Sequence, residues 1–100
     1  MKMNFWFIIE NNDEESILVE CSQDAYGDVV LPNGITHIAE NAFNGCNKIN
    51  SLTIPNSIQR IGLNAFEGCT SLNELVIPKA YITIIGGKKY IGSLILTAIK

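Results

Sequence analysis

The apolar positions between Pro32 and Pro78 recur with a period of 23. Three prolines mark the period, and the segments between them match almost only where the residue is apolar or small. Such a pattern indicates a structural unit with a fixed interior and a variable exterior. The prolines are Pro32, Pro55 and Pro78; the matched pairs are Ile35 and Ile58, Ile38 and Ile61, Ala42 and Ala65, Phe43 and Phe66, Gly45 and Gly68, Cys46 and Cys69, Ile49 and Leu72, Leu52 and Leu75, and Ile54 and Ile77.

One segment of each unit alternates in the manner of a β-strand. In "INSLTI" (49–54) and "LNELVI" (72–77), the last two aliphatic side chains are two positions apart and share one strand face. Thr53 and Val76 then point to the opposite face. A proline follows each segment and ends the strand, because proline has no N–H to donate to the ladder.

Two further segments link these strands. The isoleucines of "SIQRI" (57–61) are three apart, which suits a short extended or 3₁₀ segment. The segments "NAFNGC" (41–46) and "NAFEGC" (64–69) suit a single helical turn. Gly45 and Gly68 would close that turn with a positive φ, which glycine adopts at little cost.

Units of this length stack so that each strand pairs in parallel with the next. The sequence therefore predicts an α/β solenoid with short parallel strands and a period of 23. Equivalent residues lie above one another at the strand spacing of about 4.8 Å, which places Phe43 over Phe66.

The two ends of the chain depart from the period. Residues 1–29 contain two strand-like runs around a polar "NNDEE" loop, which predicts a β-hairpin cap with Trp6 in its core. Residues 30–78 hold two repeats. Residues 79–100 form a degenerate third repeat or a C-terminal cap, because Lys88 and Lys89 stand where the preceding unit has an Ala-Phe pair.

The cysteines allow three interpretations. The spacings between Cys21, Cys46 and Cys69, which are 25 and 23, match no C-x-x-C motif, and the chain has a single histidine. Free cysteine is among the most buried residue types, so Cys46 and Cys69 are best explained as packing residues in the core. A disulfide and a metal site remain the two alternatives.

Charge changes the list of partners. The net charge is −3, which argues against nucleic acid, because phosphate binding needs a basic surface. Residues 1–29 carry a net charge of −6 and residues 79–100 one of +4. These charges are best explained as solvated faces of opposite sign. The alternative is head-to-tail contact between copies, with the apolar C-terminal segment as the homodimer contact.

The chain shows no constellation that predicts catalysis. His37 aligns with Arg60 one unit later and is interpreted as a surface residue. No phosphate loop, nucleophile elbow or calcium loop occurs, so we expect a non-enzyme without cofactor or metal. The apolar run at residues 5–9 is shorter than the apolar region of a signal peptide. The apolar segment at residues 90–99 is shorter than a membrane span. This predicts a cytoplasmic location, or a surface-exposed or secreted one within a longer exported chain.

The motif "NAFxGCxxLxxLxIPxxIxxIG", seen at 41–62 and again from 64, resembles the BspA-type (treponemal-type) leucine-rich repeat. The resemblance covers residues 28–78. It implies a non-catalytic solenoid that binds protein, in a family with many adhesin-like members on microbial surfaces. The alternative is a structural or self-associating fragment without a dedicated ligand.

The strand face that points away from the core is the contact surface expected for an unidentified protein partner, because solenoids usually hold partners on their extended sheets. Its residues are Ser51, Thr53, Glu74 and Val76. The alternative is plain solvent exposure, because two strands make a small patch.

Overall fold

The computed structural model describes residues 6–76, 82–85 and 88–91. The described chain forms short strands joined by turns, and it contains no helix. The strands are β1 (Phe7–Asn11), β2 (Ser16–Cys21), β3 (Gly27–Val30), β4 (His37–Ile38), β5 (Ile49–Thr53), β6 (Arg60–Ile61), β7 (Glu74–Val76), β8 (Ile82–Ile85) and β9 (Lys88–Ile91).

The chain alternates between two sheets. The first sheet has the strand order β1-β2-β4-β6-β8-β9, and the second has the order β3-β5-β7. The inner strands of the first sheet and all strands of the second pair in parallel, while β1 and β9 pair antiparallel with their neighbours. From β2 to β7 the chain therefore makes three passes through both sheets. The first pass, β2 with β3, lies almost wholly within residues 1–29, which were predicted to be a cap.

Register partners in the second and third passes are separated by the same period of 23. His37 pairs with Arg60 in the first sheet, and Leu52 pairs with Leu75 in the second. In the first sheet, the step from the first pass to the second is shorter, since Ile17 pairs with His37 at a separation of 20 residues. On the other side, Val29 pairs with Leu52 at 23.

The core is a set of stacked rows between the two sheets. Phe43 packs on Phe66 with ring centroids 5.5 Å apart, and Phe7 closes the row edge-on at 6.4 Å from Phe43. Aromatic pairs at these separations stabilise beyond the area they bury. The other fully buried large side chains are Leu18, Leu31, Ile35, Ile38, Ile49, Leu52, Ile58, Ile61 and Leu72.

The prediction of a helical turn at "NAFxGC" is wrong. In the first copy, alternate N–H groups bond locally: Asn44 N–H donates to Asn41 O and Cys46 N–H to Phe43 O. The N–H groups between them bond to the next pass instead, as Phe43 N–H does to Ala65 O at 2.7 Å. A helix would need both sets for its own i to i−4 bonds.

Backbone torsions at this turn also exclude a helix. Asn41 and Asn64, at equivalent positions, have φ of 59° and 58°, the left-handed region that asparagine tolerates better than most residues. Gly45 and Gly68 close the turn at φ of 76° and 80°, as predicted.

The C-terminal segment begins with a further parallel step, because Ile61 of β6 pairs with Ile85 of β8. Strand β9 then folds back antiparallel on β8. The predicted third repeat or cap at 79–100 lies outside the described residues apart from these two strands.

The surroundings of Gly62 show how closely successive passes are stacked. A Cβ atom at Gly62 would lie 2.5 Å from Glu40 N and 2.8 Å from Ala39 C, which are backbone atoms of the preceding pass. Backbone cannot rotate away as a side chain can, so the two passes would have to separate. We expect Gly62→Ala to lower the free energy of unfolding by about 2–3 kcal/mol in urea titrations.

Gly34→Ala is the matched control. Gly34 has a φ of 95°, and a Cβ atom added there would meet nothing within 4 Å, so this substitution introduces backbone strain without a clash. It should cost about 1 kcal/mol. A Gly62→Ala variant as stable as the wild type, or more stable than Gly34→Ala, would contradict the close stacking.

Candidate functional site

The outward surface of the second sheet carries two rows of side chains in register. Asp28, Ser51 and Glu74 are successive register partners across β3, β5 and β7 and form the acidic row. Two residues further along the same strands, a second set of register partners forms the aliphatic row: Val30, Thr53 and Val76. We call these six residues together the outer face.

Burial separates this face from the core. Along β5 and its end, Leu52 and Ile54 are buried while Thr53 between them is half-buried. Val30 is 66% exposed and Val76 is 43% exposed. Aliphatic side chains held in a row on a sheet surface are a typical element of a protein contact.

The acidic row is partly fixed. Ser51 Oγ donates to Asp28 Oδ1 at 2.8 Å, which links β3 to β5 through their side chains. Asp28 and Glu74 are both exposed, and neither has a cationic partner in the described part of the chain. Within the described residues, the row therefore presents two carboxylates without a cationic neighbour.

An aromatic pair includes the residue that directly precedes β3. Tyr26 immediately precedes β3 and is 65% exposed, and its ring packs edge-on against Trp6 with centroids 5.4 Å apart. The carbonyl of Trp6 accepts the N–H of Ser22, so the pair is also attached through the backbone. The predicted place of Trp6 in the core is only partly realised, because the side chain is half-buried.

All four residues predicted from the sequence lie together on the outer face. Sequence analysis missed Asp28, Val30 and Tyr26, because β3 was placed in the cap. A signal was present: a shift of 23 from Ser51 and Thr53 leads to Asp28 and Val30, and the buried Leu52 leads to the equally buried Val29.

A cleft of about 590 Å³ opens at the turn between the first two passes. Its walls are polar, with two carboxylates and three carboxamides among them, but within the described residues no group of His, Cys, Asp or Glu is arranged to hold a metal ion. The lining residues are Glu20, Cys21, Ser22, Gln23, Asp24, Asn41, Ala42 and Asn44.

His37 is not the plain surface residue that the sequence predicted. Its Nε2 lies 3.2 Å from Glu15 Oε2 and its Nδ1 lies 2.8 Å from Thr36 Oγ1, and its side chain is only 18% exposed. The Thr36 hydroxyl also accepts the N–H of Ser16 at 3.0 Å and lies 3.2 Å from the carbonyl oxygen of Ser16. This carboxylate–imidazole–hydroxyl chain joins the β1–β2 hairpin to β4.

The three cysteines are free and buried, which for Cys46 and Cys69 agrees with the packing interpretation. The thiol of Cys46 lies 3.6 Å from Cys21 O, and the thiol of Cys69 donates to Phe43 O at 3.2 Å. Burial raises the pKa of all three thiols, and the neighbouring Cys46 adds to the shift at Cys21 and Cys69. Burial raises the pKa of Cys69 to about 12, so the thiols are protonated and unreactive at neutral pH.

Two sheets of stacked strands, which the chain visits alternately with parallel pairing between successive passes, define a repeat protein with a solenoid-like fold. A family model for the BspA-type leucine-rich repeat region, of six copies, matches residues 20–99. The chain belongs to this family, as its motif predicted. No curated protein and no solved structure matches the chain significantly. The described part of the chain has no helix long and apolar enough to cross a membrane.

The buried thiols make stability depend on pH. An unfolded thiol ionises near pH 8.5, whereas the folded thiols hold their protons to higher pH. Stability is therefore complete below about pH 8.5 and falls as the pH rises. We expect the free energy of unfolding in urea to decrease between pH 8.5 and 10, with a slope approaching about 1.4 kcal/mol per pH unit for each thiol.

The Cys46→Ala variant is the control for this slope. It should be less stable at every pH, because a buried side chain is shortened. Its free energy of unfolding should also fall less steeply with pH, because one ionisable thiol is missing. Equal slopes in the variant and the wild type, or a flat profile from pH 8 to 10, would show that the thiols do not ionise on unfolding.

Proposed function

We propose that this chain is a non-catalytic leucine-rich-repeat module that binds a protein partner through the outer face. The observation that carries the proposal is the aliphatic row, in which Val30 and Val76 are exposed on either side of Thr53. Leaving two valines in water forgoes the free energy of burial, which a partner would recover. Membership of a leucine-rich-repeat family supports the same class of function.

The catalytic alternative has little support from the geometry. The polar chain at His37 ends in a threonine hydroxyl that is already bonded to the backbone of Ser16. The imidazole is thus used to join two structural elements. Burial and raised pKa values likewise withhold the cysteines from nucleophilic chemistry.

Attachment to another cell or to a host protein, as in an adhesin, is the finer form of the proposal. Its support is the resemblance of the repeats to those of surface proteins, and it requires a chain that reaches the surface or is secreted. A cytoplasmic location would leave a binding role for an internal partner.

Self-association is the second candidate. It is favoured by the opposite charges of residues 1–29 and 79–100, and a homodimer would use the C-terminal segment. Light scattering across a concentration series distinguishes the candidates. We expect a constant monomer mass for a module that binds other proteins, whereas a mass that rises with concentration would favour self-association.

Substitution at the centre of the outer face tests the proposal. Thr53 lies on the central strand, between the two exposed valines. We expect Thr53→Arg to reduce retention of a partner at least about tenfold, because a large charged side chain would separate the two surfaces. The measurement is quantitative mass spectrometry of proteins retained from cell extract and from an extracellular protein mixture by the immobilised full chain.

The control is Asn44→Arg, which adds the same charge at the exposed turn, away from the second sheet. Circular dichroism and urea titration should show both variants folded. Proteins retained equally by wild type, Thr53→Arg and Asn44→Arg would place the binding site elsewhere on the molecule.

A further inference from the structure

We propose that the outer face recognises a cationic and aliphatic segment of a partner protein, with two basic side chains about 10 Å apart placed over the acidic row. The proposal rests on the proposed function and adds the chemistry of the partner. It follows from the charge, spacing and exposure of the two rows.

The charge of the face has one sign. Asp28 and Glu74 are exposed, and the only ion pair among the described residues joins His37 to Glu15, on the other sheet. Ser51 holds one oxygen of Asp28 and leaves the second oxygen to accept from a partner. An acidic partner would be repelled, and a neutral one would leave both carboxylates without a counter-charge.

The spacing of the carboxylates sets the spacing of the cations. Asp28 and Glu74 are separated by the single strand β5, so their backbones are two strand spacings apart, or about 10 Å. Basic residues at i and i+3 of a polyproline II segment lie on one side of it, about 9 Å apart, and those at i and i+7 of a helix are about 10.5 Å apart. Either geometry brings both cations over the row.

The aliphatic row provides the apolar half of the contact. It runs parallel to the acidic row, two residues along the strands, or about 7 Å away. The hydrocarbon stems of Lys and Arg cover apolar surface while their charged ends stay near carboxylates. Val30 and Val76 are therefore suited to the stems and to aliphatic neighbours of the basic residues.

Tyr26 extends the same chemistry at the β3 side. It is two residues before Asp28, largely exposed, and packed against Trp6. A cation over an exposed aromatic ring is a favourable contact in water. An exposed ring two residues from an acidic position adds a contact that arginine or lysine can use.

Peptide binding tests the proposal with three capped probes of equal length. The cationic probe is Arg-Val-Thr-Arg-Val-Thr-Arg, which has the i, i+3 spacing; the other two carry Glu or Ser in place of each Arg. Calorimetric titration of the full chain at low salt should show binding of the cationic probe only. Raising the salt should weaken binding, because exposed ion pairs are screened.

Paired variants assign the binding to the face. Asp28→Asn with Glu74→Gln keeps the shape of both side chains and the acceptor for Ser51, and it should weaken the cationic probe about fivefold, the effect of two exposed ion pairs. Glu40→Gln with Glu67→Gln removes the same net charge from exposed positions at the turn and should change nothing. Asp28→Lys with Glu74→Lys should reverse the preference to the Glu probe.

The outcomes separate this inference from the proposed function. A partner lost with Thr53→Arg but retained by Asp28→Asn with Glu74→Gln would keep the binding face and overturn its charge preference. Equal probe affinity in all variants, or equal binding of the three probes, would also overturn the preference. Self-association that disappears with Asp28→Asn and Glu74→Gln would identify a second copy as the occupant and overturn the assignment to another protein.

Discussion

Backbone hydrogen bonds between successive passes hold this molecule together. At the turn, Asn41, Phe43 and Gly45 donate to Leu63, Ala65 and Glu67 of the next pass, and the two sheets repeat the arrangement with parallel ladders. No pass satisfies its own polar backbone, and unpaired buried groups are costly. Each pass is therefore stable only on a neighbour, and the register partners of the second and third passes keep one spacing, 23.

This constraint divides the sequence into two classes of position. Each interior residue contacts the equivalent residue of the next pass. The interior therefore accepts only side chains that pack well against a copy of the same side chain. Phe43 on Phe66 does so with tilted rings, and the cysteines do so as small neutral thiols. Exterior residues meet solvent and vary, so the rows of the outer face are free to carry specificity without cost to the core.

The same logic explains what the sequence could predict. Because the interior positions repeat, the sequence predicted the strands β5 and β7, the buried pairs and the family. Strand β3 was missed because Gln23 stands where the later passes have a cysteine, and Cys21, which packs beneath Cys46, is out of step with the period at a separation of 25. The turn was mistaken for a helix because its composition suits one; hydrogen bonds to another pass, absent from any local pattern, decide its geometry. The contact of His37 with Glu15 could not be predicted either, because it joins two different segments of the chain.

The outer face shows how a stacked protein can present charge. In a parallel stack, an identical residue in every pass would place like charges about 4.8 Å apart, which is destabilising for direct neighbours. Here Ser51 separates Asp28 from Glu74 and donates to the first, so the two carboxylates are twice as far apart and one is stabilised. An uninterrupted acidic row would repel itself, and an uninterrupted neutral row would have no charge to recognise. The alternation of Asp, Ser and Glu thus allows a charged surface on a fold whose interior requires repetition.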